Sequence, residues 1–508
     1  MKNTTTLSRM YVPSCHGGKI HIESEVILPD YCPDAAKIVK TELSPKITSQ
    51  SCFPDDGGLN ISLDGTALFK VLYLSDGDSG LCSTFFTQPF SHSFKVRTDE
   101  STDMENIFDC VTLSTENASC RTSSSRKAVI KGDISVIPQL KLNSVREFFG
   151  GGDTDTETRG SHVPVCRLIS SAESDFTLSE KITLPENLPS AADILDCSMR
   201  YVCDSTKCAE GKVIFTATAY FTCFYRSDEG TVSFCQPIEI SQITDMPSCD
   251  STHTAEVFFL PTSLRADTDV DNYGENRIIA VDFSYTAKTA VYGNELFYAV
   301  TDAFCPGHDY TSEYDEITLK ALECKICEHI PVKGSLKLKI PETVSIENIC
   351  PSVHLRGWVI ENGIISLDAR LNLKMISALS GSYDGMEENL DFSAKIPLDN
   401  PEICKCDLYA DVNDVSCILS ANSVEVMAGV TINGAAYTQS RIKCVKEMSV
   451  GDKKPYADRP PIILYYPSED ETLWDVAKSY SLPVKALMEY NGMEGEKITE
   501  PVVKIPRI

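Results

Sequence analysis

The chain has 508 residues, of which 42% are apolar and 23% are charged, and its 73 acidic residues outnumber its 46 basic residues. The resulting net charge of −27 repels phosphate backbones and anionic lipid surfaces, so it argues against nucleic-acid binding. At roughly 100–200 residues per domain, this length predicts three to five domains.

The lack of a recognisable targeting signal and the pattern of cysteines both favour a cytoplasmic protein. Residues 1–7 lack the apolar segment of a secretory signal, and no run of about 18 apolar residues predicts a membrane-spanning helix. The 21 cysteines are odd in number and irregularly spaced, which favours reduced thiols over a disulfide framework. We therefore expect a cytoplasmic location and no membrane span.

A proline-containing motif recurs at a fixed interval. It reads Leu-Pro-Asp at 28–30 and Leu-Pro-Glu at 184–186, and a weaker third copy contains Pro341. The prolines of successive copies are 156 residues apart. A period of that size is too long for a solenoid unit and is typical of a duplicated domain.

Each copy also contains a segment in which apolar and polar residues alternate. These segments are at 63–73, 215–225 and 367–377. Alternation with a period of two is typical of a strand that has one face on a core. Clusters of turn-forming residues follow at 75–80, 227–230 and 382–385, so each copy is expected to contain a β-hairpin. Later strands are expected near 128–137, 278–290 and 424–436.

The repeats predict three β-rich domains joined by polar linkers. We place the domains at 15–147, 168–310 and 325–447. The glycine- and threonine-rich segment 148–167 is expected to be a flexible linker. A second, stiffer linker is expected at 448–461, which ends in two prolines.

Residues 462–508 follow a different pattern. A strand candidate at 462–466 precedes two segments with helical spacing, at 472–480 and 483–491, and the last strand is expected at 502–506. This order predicts a small βααβ module. The expected fold class is therefore mainly β, with three repeated β-rich domains followed by a βααβ domain.

The C-terminal module resembles a LysM domain. The Thr-Leu-Trp-Asp-Val-Ala run at 472–477 matches the family's helix-opening motif, and Val503-Lys504-Ile505-Pro506 matches its closing strand. The resemblance implies a groove for N-acetylglucosamine polymers such as peptidoglycan, formed by the loop after the first strand and the loop before the last. The residues expected at this groove, for a partner or a glycan, are Asp470, Glu471, Thr472, Leu473, Trp474, Asn491 and Met493.

Several positions in the module leave alternatives open. Asp470 and Glu500 stand where LysM domains usually have glycine. Leu473 and Trp474 fit either a core position or a contact surface, because a large amphipathic ring favours partly wet contact sites. Asn491 is expected to be a helix C-cap rather than a ligand contact.

The repeats resemble SPOCS domains, found in endospore-forming Firmicutes, through Leu-Pro-Asp at 28–30 and Pro-Asp-Ala at 33–35. Tandem SPOCS domains followed by one LysM domain resemble the architecture of spore-coat morphogenetic proteins. This implies a non-enzymatic assembly protein on the mother-cell side of the forespore surface. Its LysM domain would dock the spore-coat morphogenetic ATPase or another coat protein, and its repeats would act as scaffold and oligomerisation surface. The alternative is a peptidoglycan-binding protein.

Three short motifs resemble chemical sites, and each is incomplete. Residues 77–80 read Gly-Asp-Ser-Gly, like a protease nucleophile loop, but the equivalent turns of the other copies lack that order. Asp267, Asp269 and Asp271 have the spacing of a calcium loop without its glycine or closing glutamate. The Cys-x-x-Cys at 324–327 has no second pair. We therefore expect no enzymatic activity, no metal site and no cofactor.

Overall fold

The computed structural model describes residues 3–55, 57–77, 80–98, 102–151, 156–337, 344–379, 382–420, 423–454, 460 and 462–506. Strands dominate these ranges, and two short helices lie near the C-terminus. The predicted mainly β fold is confirmed. Within the same ranges, neither helix has the length and apolar character needed to cross a membrane.

The first repeat consists of seven strands in two antiparallel sheets. They are β1 (Asn3–Tyr11), β2 (Lys19–Ile27), β3 (Ala35–Asp55), β4 (Gly58–Ser75), β5 (Leu81–Arg97), β6 (Thr102–Ser124) and β7 (Lys127–Gly151). One sheet is the meander β3-β4-β5. In the other sheet, β7 pairs with β6 on one side. On its other side β7 pairs with β2 along its first part and with β1 along its last part. Leu63, Phe69 and Ile130 are fully buried in the core that the two sheets share.

The second repeat uses six strands for the same arrangement. They are β8 (Glu157–Thr183), β9 (Asp193–Ala209), β10 (Lys212–Ser227), β11 (Gly230–Asp245), β12 (Thr254–Asp269) and β13 (Ile278–Phe304). The meander is β9-β10-β11, and β13 lies between β8 and β12. The single long strand β8 takes the place of both β1 and β2.

The third repeat follows the second closely. Its strands are β14 (His308–Leu336), β15 (Ser345–Glu361), β16 (Ile364–Leu379), β17 (Ser382–Pro397), β18 (Ile403–Ser420) and β19 (Ser423–Lys453). The predicted hairpin is present in every repeat, as β4-β5, β10-β11 and β16-β17. In the third repeat the expected turn at 382–385 belongs to β17, because the backbone from Ser382 onward pairs with β16.

Strands β7, β8 and β19 extend into the segments that were expected to be linkers. Strand β7 continues to Gly151 and β8 begins at Glu157, so 148–151 and 157–167 lie in sheets rather than in a flexible linker. Strand β19 likewise continues to Lys453. Residues 152–155 and 455–459 lie outside the described part of the chain. The division into three separate domains stays a prediction.

An arginine holds the proline motif in each of the first two repeats. Arg126 donates a 2.8 Å hydrogen bond to the carbonyl of Pro29, and Arg277 donates one of the same length to the carbonyl of Pro185. Pro341, the third copy, lies outside the described residues. The motif is therefore a corner between two sheets, fixed by an arginine from the hairpin loop that precedes β7 or β13.

Equivalent residues of the three repeats meet in one buried cluster. Leu72, Phe224 and Ile376 occupy equivalent positions, 152 residues apart, and lie in one buried cluster. Their cross-strand partners are Lys40, Asp196 and Asn348, which are also buried. The apolar cluster therefore has buried polar residues beside it in all three repeats, and two of these, Lys40 and Asp196, lie 3.5 Å apart.

Two asparagines connect successive repeats in the same way. Asn143 donates to the carbonyl of Leu168 at 2.8 Å and accepts the Leu168 N–H at 2.9 Å. Asn294, 151 residues later, forms the same two bonds with Leu322, both at 2.8 Å. Each leucine lies at a register irregularity of its strand. The amide side chain therefore satisfies backbone groups that a β-bulge leaves without a ladder partner.

Candidate functional site

The C-terminal module consists of two strands and two helices. They are β20 (Ile462–Tyr465), α1 (Leu473–Tyr480), α2 (Val484–Asn491) and β21 (Val503–Pro506). The strands pair antiparallel, and the helices pack on them. The side chains of this small core are at most 2% exposed at Leu473, Val476, Leu487, Val503 and Ile505. The predicted βααβ order is confirmed.

Local sequence sets the ends of both helices. At the start of α1, the carboxylate of Asp475 accepts hydrogen bonds from the backbone N–H and the hydroxyl of Thr472, at 2.9 and 2.6 Å. Helix α1 ends at Ser481 and α2 at Gly492, both in the left-handed conformation, with φ of 54° and 68°. The cap of α2 is thus Gly492 and not the preceding Asn491.

Two loops, 466–472 and 492–502, border the region where the groove is expected. They are tied together, because Leu473 N–H donates to the carbonyl of Glu496 at 2.8 Å and Thr472 forms an isolated β-bridge with Lys497. The loops expose Asp470, Glu494 and Glu500. The face that they form is therefore acidic.

Glu471 and Asn491 use their side chains to hold the module together. The Glu471 carboxylate accepts from the Tyr465 hydroxyl at 2.7 Å and from the Ser468 N–H at 3.0 Å. The Asn491 amide donates to the carbonyl of Lys504 at 2.8 Å and accepts the Lys504 N–H at 2.7 Å. Asn491 thus joins α2 to β21. Both side chains therefore have structural roles within the module.

Leu473 and Trp474 lie on different sides of α1. Leu473 is fully buried in the module's own core. The Trp474 indole is only 2% exposed and faces the second repeat, where its Nε1 donates to the Asp302 carboxylate at 2.8 Å. Its ring packs edge-on against Phe304, with the centroids 5.0 Å apart. Trp474 is therefore a contact between the module and the repeats.

Thr472, Asp470 and Met493 complete the set of seven predicted residues. Thr472 is half-buried in the helix cap. Asp470 is exposed on the first loop, and Met493 is half-buried on the second, packed against the edge of the core. Asp470 and Met493 are therefore the two predicted residues whose side chains lie at the loops without a described structural hydrogen bond.

Residues 468–499 match the family model of the LysM domain. The C-terminal module is a LysM domain. The matched family is a family of binding domains, and the match identifies no enzyme family. No curated protein and no solved structure matches the chain. The similarity of the repeats to SPOCS domains stays a hypothesis.

Asp302 is the centre of the contact between the LysM domain and the repeats. Besides the Trp474 indole, its carboxylate accepts from Lys478 Nζ at 2.7 Å and from the Tyr314 hydroxyl at 2.9 Å. Burial by itself raises the pKa of Asp302, but the Lys478, Trp474 and Tyr314 donors outweigh it and hold the pKa below its usual value. The carboxylate is therefore ionised at neutral pH.

Further polar contacts hold the LysM domain against the repeats. The Gly307 N–H donates a 3.1 Å hydrogen bond to the carbonyl of Ser481. Lys454 Nζ donates a 2.9 Å hydrogen bond to the Ser481 hydroxyl. Arg159 of β8 lies 3.6 Å from Glu496 of the second groove loop. Sequence reasoning missed these partners because they lie in the repeats, where no motif of the LysM pattern marks them.

The aspartates with calcium-loop spacing have other partners. Asp267 pairs with Arg265 at 2.7 Å, and Asp269 with Lys181 at 2.9 Å. The Asp271 carboxylate accepts backbone N–H groups within its own loop. Within the described ranges, no group of three or more His, Cys, Asp or Glu side chains is placed to hold a metal ion. Residues 78–79, in the Gly-Asp-Ser-Gly turn, lie outside those ranges.

Proposed function

We propose that this protein is a non-enzymatic binding protein whose LysM domain holds N-acetylglucosamine polymers such as peptidoglycan. The LysM family match at 468–499 carries the proposal. The geometry supports it, since the two groove loops are joined to each other and both expose side chains to solvent. The docking through Trp474 and Asp302 holds the loops in one orientation relative to the repeats.

Sedimentation of the full chain with purified peptidoglycan tests this proposal. We expect saturable binding that soluble N-acetylglucosamine tetramer competes. Asp470→Ala and Met493→Ala are each expected to weaken binding several-fold, because a carboxylate bonds sugar hydroxyls and a thioether packs on a sugar ring. Lys485→Ala is the matched control, since this side chain is 87% exposed on α2. If the full chain stays in the supernatant, the glycan proposal is wrong.

The second candidate is a structural role in the spore coat, on the cytoplasmic, mother-cell side of the forespore. In this role the LysM domain docks the coat morphogenetic ATPase or another coat protein, and the repeats act as scaffold. The acidic face of the groove loops favours it, because exposed Asp470, Glu494 and Glu500 suit a basic protein surface.

Capture of the coat ATPase from a sporulating lysate tests the second candidate. Charge reversal in the double variant Glu494→Lys and Glu500→Lys is expected to abolish capture. Glu489→Lys, on the outer face of α2, is the control and is expected to leave capture unchanged. Equal capture by the wild-type chain, the double variant and Glu489→Lys would contradict docking through the LysM loops. Peptidoglycan sedimentation tests the glycan proposal separately.

A further inference from the structure

The sequence contains three Asn-Gly pairs, at 362–363, 433–434 and 491–492. The asparagine of such a pair is prone to deamidation, because glycine has no Cβ to hinder attack of its backbone nitrogen on the preceding side chain. The reaction needs a side-chain amide that is free to rotate and a backbone N–H that is not held in a hydrogen bond. The structure places the three pairs in different settings.

The pairs at Asn433 and Asn491 are held by hydrogen bonds. Asn433 lies in the middle of β19, is 1% exposed and donates from its side chain to the carbonyl of Cys203 at 3.4 Å. The Asn491 amide forms two hydrogen bonds with the backbone of Lys504, at 2.8 and 2.7 Å. The N–H of Gly492 is bound in the cap of α2. Neither asparagine side chain is therefore free to rotate.

The pair at Asn362 lies at the tip of the hairpin β15-β16. Asn362 and Gly363 form the turn that joins Glu361 to its ladder partner Ile364. Their φ values are positive, 51° and 72°, as in a type I′ turn. Asn362 is exposed. Among the hydrogen bonds of the described residues, none involves the Asn362 amide or the Gly363 N–H. This pair alone has both reacting groups free.

We propose that Asn362 is a site of spontaneous deamidation. The Gly363 nitrogen bonds to Cγ of Asn362 while the Cγ–Nδ2 bond breaks, and the amide proton of Gly363 leaves with Nδ2 as ammonia. Water from the solvent then opens the resulting succinimide ring. Opening at Cγ gives aspartate, and opening at the backbone carbonyl gives isoaspartate. This modification does not depend on what the LysM domain binds.

The isoaspartate product changes the hairpin. Its main chain runs through the former side chain, so the turn gains a methylene group, and a new carboxylate lies beside the exposed Glu361. The turn sets the register of the two strands that it joins. We therefore expect the pairs next to the turn, Glu361–Ile364 and Ile360–Ile365, to open more often. The rest of the hairpin stays anchored, because Ile365 and Leu367 lie in the core of the third repeat.

The competing explanation is that the ordered turn protects Asn362 as well. The carbonyl of Gly363 accepts the Leu398 N–H at 2.8 Å, so the turn is fixed on its C-terminal side. In our proposal, rotation of the exposed Asn362 side chain and of the peptide unit that follows it is sufficient. The unfolded chain separates the two explanations, because in urea all three pairs lose their structural protection.

Incubation of the full chain at mildly alkaline pH, followed by proteolysis and mass spectrometry, tests the proposal. In the native chain we expect Asn362 to convert at least about tenfold faster than Asn433 and Asn491, and within about tenfold of its own rate in urea. In urea all three asparagines should convert at similar rates. Methylation by an isoaspartyl carboxyl methyltransferase, which labels isoaspartate and not aspartate, measures the share of isoaspartate.

Asn362→Gly is the matched control, because glycine suits the positive φ of the turn and carries no amide. On ageing, amide hydrogen exchange at 359–366 should speed up in the wild-type chain and stay constant in this variant. Two results would overturn the proposal. One is native Asn362 that converts no faster than Asn433 or Asn491. The other is native Asn362 that converts more than about tenfold more slowly than in urea, which would show that the turn protects it.

Discussion

The indole Nε1 of Trp474 donates a 2.8 Å hydrogen bond to the carboxylate of Asp302, which lies 172 residues earlier in the second repeat. Lys478, one turn further along α1, donates to the same carboxylate. The Asp302 carboxylate thus accepts hydrogen bonds from both the Trp474 indole and the Lys478 ammonium group of α1. The LysM domain is thereby fixed to the repeats on the side of α1.

Replacing Asp302 is expected to loosen the LysM domain. Asp302→Ala leaves the Trp474 N–H and the Lys478 ammonium without their shared acceptor, at a cost of about 1–2 kcal/mol, reduced by partial exposure to water. The measurements are urea unfolding and amide hydrogen exchange, which should speed up in α1. Glu313→Ala is the control, since Glu313 is exposed and contacts only Lys446 among the salt bridges described. Unchanged exchange in α1 would contradict the assigned contact.

The same contact is expected to depend on pH. The pKa of Asp302 is lowered in the folded state, so its stabilising effect is present above the unfolded value of about 3.9 and is lost as pH falls through the folded value. In a Trp358→Phe background, Trp474 is the single tryptophan. Its emission should be constant from pH 8 to 5 and shift to the red below about pH 4. A transition centred above pH 5 would assign the contact to another group.

The two equivalent asparagines are expected to differ in their contribution to stability. Asn143 is fully buried, so Asn143→Ala leaves the Leu168 backbone groups unsatisfied away from water and should cost about 2–4 kcal/mol. Asn294 is exposed, so water replaces its bonds and Asn294→Ala should cost less than about 1 kcal/mol. Urea denaturation of both variants measures the difference. Equal costs would show that burial does not set the strength of this connection.

The cysteines are expected to divide sharply in reactivity. Burial raises the pKa of Cys110, Cys166 and Cys203 to about 12, so these thiols carry almost no thiolate at pH 8. Cys235 and Cys404 are exposed and should react first with iodoacetamide. Peptide mapping by mass spectrometry, with and without urea, checks this. Labelling of Cys166 in the native protein at the rate of Cys235 would contradict the described packing.

The sequence by itself determined the elements whose signals are local. Alternation at 63–73, 215–225 and 367–377 predicted the middle strands of three meanders, because period two places one face of a strand on a core. The helical spacing after Thr472 predicted α1, whose cap needs only residues three positions apart. The LysM loops of the candidate site followed from the same local pattern.

The tertiary structure alone decided how these elements are used. Residues 157–167 are polar enough to suggest a linker, yet they form strand because β13, more than 100 residues away, supplies their hydrogen-bond partners. The helical pattern predicts that one face of α1 is buried, but it does not identify the residue that contacts Trp474. That residue is Asp302 of the second repeat. Local periodicity is set by near neighbours, whereas partners depend on contacts between residues hundreds of positions apart.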